Sequence, residues 1–245
     1  MRIAISGSAC QGKSTLVKDF LKNWPQYKRS EESYRKLIKK EKININKKVD
    51  QDGQWKILNC LIDDIQKTSK GDKVVFDRCP LDNLIYSLWA EEKKTSDIDR
   101  DFIKKCIPLV QESMKSIDII FFLPITKVAP VAVVEKPDRE IDKTFIEEID
   151  HIFKAISHAL AQKGFCPFMA SDDRPPIIEV FGTPEERIEI IKLYLDEKGE
   201  LICDSSSVLD PENINNMETI LRAQEKALSD EKYEQKIKKN IILGQ

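Results

Sequence analysis

Eight consecutive residues near the start of this 245-residue chain, Gly7-Ser8-Ala9-Cys10-Gln11-Gly12-Lys13-Ser14, constrain its fold more than any others. They satisfy the pattern G-x-x-x-x-G-K-[ST], and their flanks suit it. Arg2-Ile3-Ala4-Ile5-Ser6 reads as a strand, and Thr15-Leu16-Val17-Lys18-Asp19-Phe20-Leu21 has the apolar spacing of a helix. In a strand–loop–helix unit of this kind, Gly7 and Gly12 let the backbone bend around an anion. The loop N–H groups and the helix N-terminus then direct positive partial charge at it. Lys13 adds a full charge able to reach β- and γ-phosphates, and the Ser14 hydroxyl is placed to ligate Mg²⁺. Residues Gly7, Ser8, Ala9, Cys10, Gln11, Gly12, Lys13, Ser14 and Thr15 are therefore candidate ATP-binding residues.

Composition narrows the class further. With 41% hydrophobic and 33% charged residues the chain reads as globular, and a net charge of −2 supplies no global basic field for nucleic acid. No apolar run approaches the ~18 residues of a membrane span. The first strand begins at once, with no basic region followed by a cleavable apolar segment, so a cytoplasmic location is expected. Six cysteines, at 10, 60, 79, 106, 166 and 203, form no C-x-x-C pair, and there are two histidines. Reduced thiols, rather than zinc or disulfides, are the expectation.

Three further strands are legible: Lys73–Asp77 after the turn pair Gly71-Asp72, Ile117–Leu123 ended by Pro124, and Ile177–Phe181 ended by Gly182. Near-continuous apolar strands suit a parallel sheet covered on both faces. Tyr27–Arg29 is a shorter candidate. Helical spacing predicts helices over Gln54–Lys67, Leu81–Glu92, Asp101–Lys115, Lys143–Gln162 and Glu185–Leu195, the last opened by a Thr183-Pro184-Glu185-Glu186 capping box. Trp55, Ile57 and Leu58, and likewise Tyr86, Leu88 and Trp89, recur at helical spacing and are expected in the core. Residues 1–195 read as one domain. Residues 196–245 read as a polar loop followed by a helical extension rich in Glu, Lys and Asn.

Asp77-Arg78-Cys79-Pro80-Leu81-Asp82 lies at the carboxyl end of a buried strand, where open α/β sheets place their ligands. Asp77 there can hold a water of the Mg²⁺ shell or accept a proton from an attacking hydroxyl, and Arg78 can grip a phosphate bidentately. Glu32 and Arg35, in Glu31-Glu32-Ser33-Tyr34-Arg35, would be delivered to the same crevice by the second strand. Plain charge placement at a helix start is the alternative for Glu32. Arg139, in Lys136-Pro137-Asp138-Arg139, lies in a loop that can close as a lid and neutralise developing charge. The alternative there is a surface arginine paired with Asp138 or Asp142. Gly182-Thr183-Pro184 lies where this architecture accommodates an adenine base.

Together, G-S-A-C-Q-G-K-S-T-L, Glu32-x-x-Arg35, F-D-R-C-P-L-D-N-L-I-Y-S, D-I-I-F-F-L-P and F-G-T-P-E-E-R resemble the P-loop kinase-like AAA-type ATPase family. That family groups with nicotinamide riboside kinase domains and with nucleoside and nucleotide kinases, and many members come from bacteriophages. The resemblance implies an α/β P-loop NTPase fold: a doubly wound, parallel five-stranded sheet ordered 2-3-1-4-5, with a C-terminal helical extension. It also implies roles. Lys13, Ser14, Asp77 and Arg78 become ATP–Mg²⁺ and transfer residues, with Ser14 and Asp77 on the metal. Glu32, Arg35, Arg78 and Asp82 become acceptor-side residues, and Arg139 the lid arginine. The expected activity is transfer of the ATP γ-phosphoryl group to a nucleoside- or nucleotide-like acceptor, with Asp77 or Glu32 as base, in a chain that by resemblance can be a homodimer. Asp77-Arg78 stands where ring-forming AAA motors carry Asp-Glu, which argues against a hexameric motor. A kinase acting on a base or end in nucleic acid, served by the lysines between 18 and 48, and a regulatory ATPase with a protein partner are the rival readings.

Overall fold

A computed structural model describes residues 1–126, 142–161 and 174–202. Arg139 and the helical extension expected beyond residue 202 lie outside these residues. The described residues fall in two units: residues 1–192 with 197–199, and residues 193–196 with 200–202.

The first unit is a parallel sheet with helices on both faces. Its strands are β1 (Arg2–Ser6), β2 (Lys28–Arg29), β3 (Val74–Asp77), β4 (Ile119–Phe122) and β5 (Ile177–Glu179). They lie in the order β2-β3-β1-β4-β5, as the resemblance implies. Every pairing is parallel, with Ala4 opposite both Phe76 and Ile120. The three central strands are buried along their whole length, which is why they read as unbroken apolar runs. β2 is an exposed edge of two residues, so its sequence signal is weak.

The helices are α1 (Lys13–Asn23), α2 (Ser33–Glu41), α3 (Gln51–Gln66), α4 (Pro80–Lys93), α5 (Arg100–Met114), α6 (Lys143–Ala161) and α7 (Pro184–Lys192). Ala4, Phe76, Ile120 and Phe122 share one sheet face and join a single apolar cluster with residues of α3, α4, α5 and α6. Strand alternation turns Ile3, Ile5, Val75 and Phe121 to the opposite face, where α1 packs against β1, β3 and α7. Phe122 stacks on Phe153 of α6 at 5.3 Å, both rings being fully buried.

The helix boundaries fall within a few residues of expectation, and the departures have local causes. The capping box forms: the Thr183 amide donates to Glu186 Oε2 at 2.7 Å, and the Glu186 amide to Thr183 Oγ1 at 3.3 Å. The helix it opens nevertheless ends at Lys192 rather than at Leu195. Leu195 belongs to the second unit, where it bridges antiparallel to Leu201. Trp55 is the clearest correction. Expected in the core, it is 39% exposed, covering Phe102 edge-on with its ring centroid 6.3 Å away. The helical stripe of α3 buries Ile57 and Leu58, and Trp55 lies beside that stripe rather than on it.

Candidate active site

The phosphate loop is shaped by its contacts. Gly7 has φ +142°, and a Cβ there would sit 2.8 Å from the Leu123 carbonyl oxygen at the end of β4. Apart from the turn at Ala9–Cys10, the backbone amides from Ser8 to Ser14 make no hydrogen bond to the described residues. A run of unmade donors at a helix start is a ready anion cradle. Lys13 is buried and donates to the carbonyls of Gly7 at 2.8 Å and Ser8 at 2.5 Å. Burial, followed by the Arg78 charge, lowers its ammonium to about 7, against the opposing pull of Asp82 and Asp77.

Beside the loop, the end of β3 and the start of α2 meet. Ser14 Oγ donates to Asp77 Oδ2 at 2.5 Å. Arg35 Nη2 donates to the same Asp77 oxygen at 2.8 Å and to Ser14 Oγ at 3.2 Å, and Arg29 Nη2 reaches Asp77 Oδ2 at 3.5 Å. Glu32 pairs with both arginines, through Arg35 Nε at 2.8 Å and through Arg29. Glu32 also takes φ +49° as it opens α2. That helix start is fixed from α3, where Asp64 accepts from the Ser33 amide at 3.0 Å and the Ser33 hydroxyl at 2.6 Å. Glu32 thus opens the helix without capping it through its side chain, which pairs instead with Arg29 and Arg35.

Arg78 leaves β3 with φ +88°. Its guanidinium lies over the Tyr86 ring, 5.2 Å from the centroid, and Nη1 donates to Asp82 Oδ1 at 3.3 Å. The other Asp82 oxygen accepts from Ser6 Oγ at 2.7 Å and the Cys79 amide at 3.0 Å. Both oxygens of Asp82 are thus engaged within the protein, as part of the box that starts α4.

A cavity of about 600 Å³ runs along this constellation. Its walls include residues 9–15 of the loop, Tyr34, Arg35, Arg78, Asp82 and Tyr86, and also Gln54 and Asn83. Asn83 Nδ2 donates to Gln54 Oε1 at 2.5 Å, while Asn83 Oδ1 and the Tyr34 hydroxyl are buried with no partner among the described residues. Burial, opposed chiefly by Arg78, raises the Tyr34 phenol to about 12, so it remains a proton donor at neutral pH. Unpartnered polar atoms in a cavity wall are where a ligand's groups are expected.

The structure therefore gathers Lys13, Ser14, Glu32, Arg35, Asp77, Arg78 and Asp82 around one loop. Arg139 lies outside the described residues. The sequence assigns no role to Arg29, Gln54, Asn83 or Arg187, although Arg187 closes the F-G-T-P-E-E-R motif. Asn83 stands inside a quoted motif, but its partner Gln54 is 29 residues away and nothing local marks the pair.

The residues present fit a hard divalent cation. Asp77 Oδ1 is buried without a partner among the described residues, and Ser14, bonded to the other oxygen of the same carboxylate, supplies a second oxygen. Among the described residues no cluster of three or more His, Cys, Asp or Glu could cage a metal alone.

The family model described as AAA domain matches residues 2–169. The chain belongs to the AAA domain family. No curated protein sequence matches it. Among solved structures, deoxyadenosine kinase from M. mycoides with dCMP and dCDP bound is similar at TM-score 0.57 and 18% identity, over 78% of this chain and 96% of that one. Thymidylate kinase from Candida albicans gives 0.52 and 16%, over 83% and 95%. NadR protein in complex with NR gives 0.56 and 16%, over 83% of this AAA-domain chain, which spans 54% of the NadR chain. At these identities the likeness is one of fold: the AAA-domain protein has the P-loop kinase fold. Among its described residues no helix is long and apolar enough to cross a membrane.

Proposed function

We propose that this AAA-domain protein is an ATP- and Mg²⁺-dependent phosphotransferase that moves the γ-phosphoryl group to a nucleoside- or nucleotide-like acceptor. The observation that carries the reading is the composition of one cavity. The phosphate loop, two arginines, Tyr34 and Asn83 all line it, and the Tyr34 hydroxyl and Asn83 Oδ1 have no partner among the described residues, so a phosphoryl donor and a polar acceptor can share it. Kinases among the similar structures, one of them holding dCMP and dCDP, support the acceptor class.

In this account the loop amides and Lys13 hold the β- and γ-phosphates. Ser14 and Asp77 would hold Mg²⁺, whose charge offsets that of the phosphates. Arg78, steadied by Asp82 and Tyr86, holds the acceptor near the γ-phosphoryl group, and Arg35 neutralises charge from the other side. Asp77 is tied to Ser14, which leaves Glu32 to orient the acceptor hydroxyl through the arginines it orders. Arg139 is the proposed lid arginine. Positioning and charge neutralisation are the main demands of phosphoryl transfer, and these residues supply both.

The test is incubation with γ-labelled ATP and Mg²⁺ against nucleosides, nucleoside monophosphates, nicotinamide riboside and oligonucleotides. Label on a soluble acceptor, lost in Lys13→Ala, supports the reading. Label on oligonucleotides alone would point to a nucleic-acid kinase. Label released only as free phosphate would point to a regulatory ATPase.

A further inference from the structure

Arg187, in the first turn of α7, is buried at 5% exposure, yet no carboxylate pairs with it among the described residues. Its guanidinium instead bridges two backbone carbonyls. Nε donates to Gly182 O at 3.0 Å, and Nη1 donates to Gln11 O at 2.9 Å, across 176 residues of sequence. Gln11 belongs to the phosphate loop after β1, and Gly182 to the turn after β5. Those strands flank β4, so the two loops open at the same sheet end roughly 10 Å apart, two strand spacings. Loop and arginine are fitted to each other: a Cβ on Gly12, where φ is +83°, would lie 3.0 Å from Arg187 Nη1.

A buried cation lacking an anionic partner is costly unless one arrives. Here the loop it grips is the one proposed to take a triphosphate. We infer that Arg187 is a nucleotide-positioning residue: it fixes the Gly182–Pro184 turn at a set distance from the phosphate loop, so that the base and phosphates of one nucleotide are held together. The planar fork suits two carbonyls at once, which a lysine cannot reproduce. The inference rests on two readings of the sequence: that the loop binds a triphosphate, and that the Gly182–Pro184 turn seats the base.

The experiment compares ATP with inorganic tripolyphosphate by calorimetry on the full chain, for wild type and Arg187→Lys. Lysine keeps the charge and loses the fork. Joining of two subsites predicts that the variant loses about tenfold or more in ATP affinity while tripolyphosphate affinity stays within about threefold. Equal loss for both ligands, or none for either, overturns the inference. Wild-type protein that binds neither ligand overturns the triphosphate reading itself. A second measurement needs no variant. Hydrogen exchange at the amides of residues 182–186 should slow when tripolyphosphate alone is added to wild type; unchanged exchange there also overturns the inference.

Discussion

Ser14 Oγ lies 2.5 Å from Asp77 Oδ2, joining the first turn of α1 to the end of β3 across 63 residues. The contact brings together the two residues proposed for Mg²⁺, and the other Asp77 oxygen, Oδ1, is buried with no partner among the described residues. Asp77→Asn preserves shape and removes the charge. Transfer activity should fall roughly 10–100-fold, the usual cost of disturbing a metal's surroundings, with the fold intact by circular dichroism. Activity within a factor of two of wild type would remove Asp77 from the metal side.

Arg35 shares the Asp77 oxygen at 2.8 Å and Ser14 at 3.2 Å, so in this arrangement its guanidinium competes with any metal for both groups. A charge-assisted hydrogen bond is worth about 1.5–3 kcal/mol, so Arg35→Ala should tighten Mn²⁺ binding to the nucleotide-free protein roughly tenfold or more. The same variant should transfer phosphate more slowly. Electron paramagnetic resonance of free Mn²⁺ reads the first effect and a rate assay the second.

Lys13, brought down to about 7 by burial and next by Arg78, makes ATP binding depend on pH. Phosphates favour the ammonium, so above pH 7 binding must take up a proton, and affinity falls as pH rises, by up to about tenfold per unit. Calorimetry in buffers of different ionisation enthalpy should show that uptake, and Lys13→Ala should lack it. Folding stability has the opposite sign. Between about pH 7 and the ordinary lysine value of 10.5 the unfolded chain holds a proton that the folded chain has released. The Lys13 contribution to stability therefore improves as pH rises through that window.

Phe153 is 2% exposed and stacks on Phe122 under the sheet. Phe153→Ala should cost about 3–5 kcal/mol in denaturant unfolding through the cavity it leaves. Trp55, at 39% exposure, has mainly its edge contact to Phe102 to lose, so Trp55→Ala should cost about 1 kcal/mol.

What the sequence discloses here follows the range of the interactions. The phosphate loop needs eight adjacent residues and a strand and helix beside them, so Gly7 to Ser14 are legible in order. The position of Asp77 is legible because a carboxylate ending an unbroken apolar strand lands at the sheet's carboxyl edge, beside Ser14. The Thr183–Glu186 capping box is likewise local, and it forms as expected. Gln54 with Asn83, Asp64 with Ser33, and Arg187 with Gln11 are not legible, because each pair meets only after the sheet and helices have assembled. Trp55 misleads for a related reason. Its spacing suits a buried stripe, but which turn of α3 meets a neighbour is decided by packing.

The central claim is that donor and acceptor share one cavity, and a bisubstrate compound tests it most directly. Adenosine joined through five phosphates to each of several nucleosides would be titrated into the protein with Mg²⁺ and compared with ATP. The account predicts that at least one such compound binds about tenfold or more tighter than ATP, because two subsites are joined. It also predicts that Asn83→Ala removes that gain while leaving ATP affinity unchanged. If every compound bound no more tightly than ATP, the shared cavity, and with it the proposed acceptor class, would be contradicted.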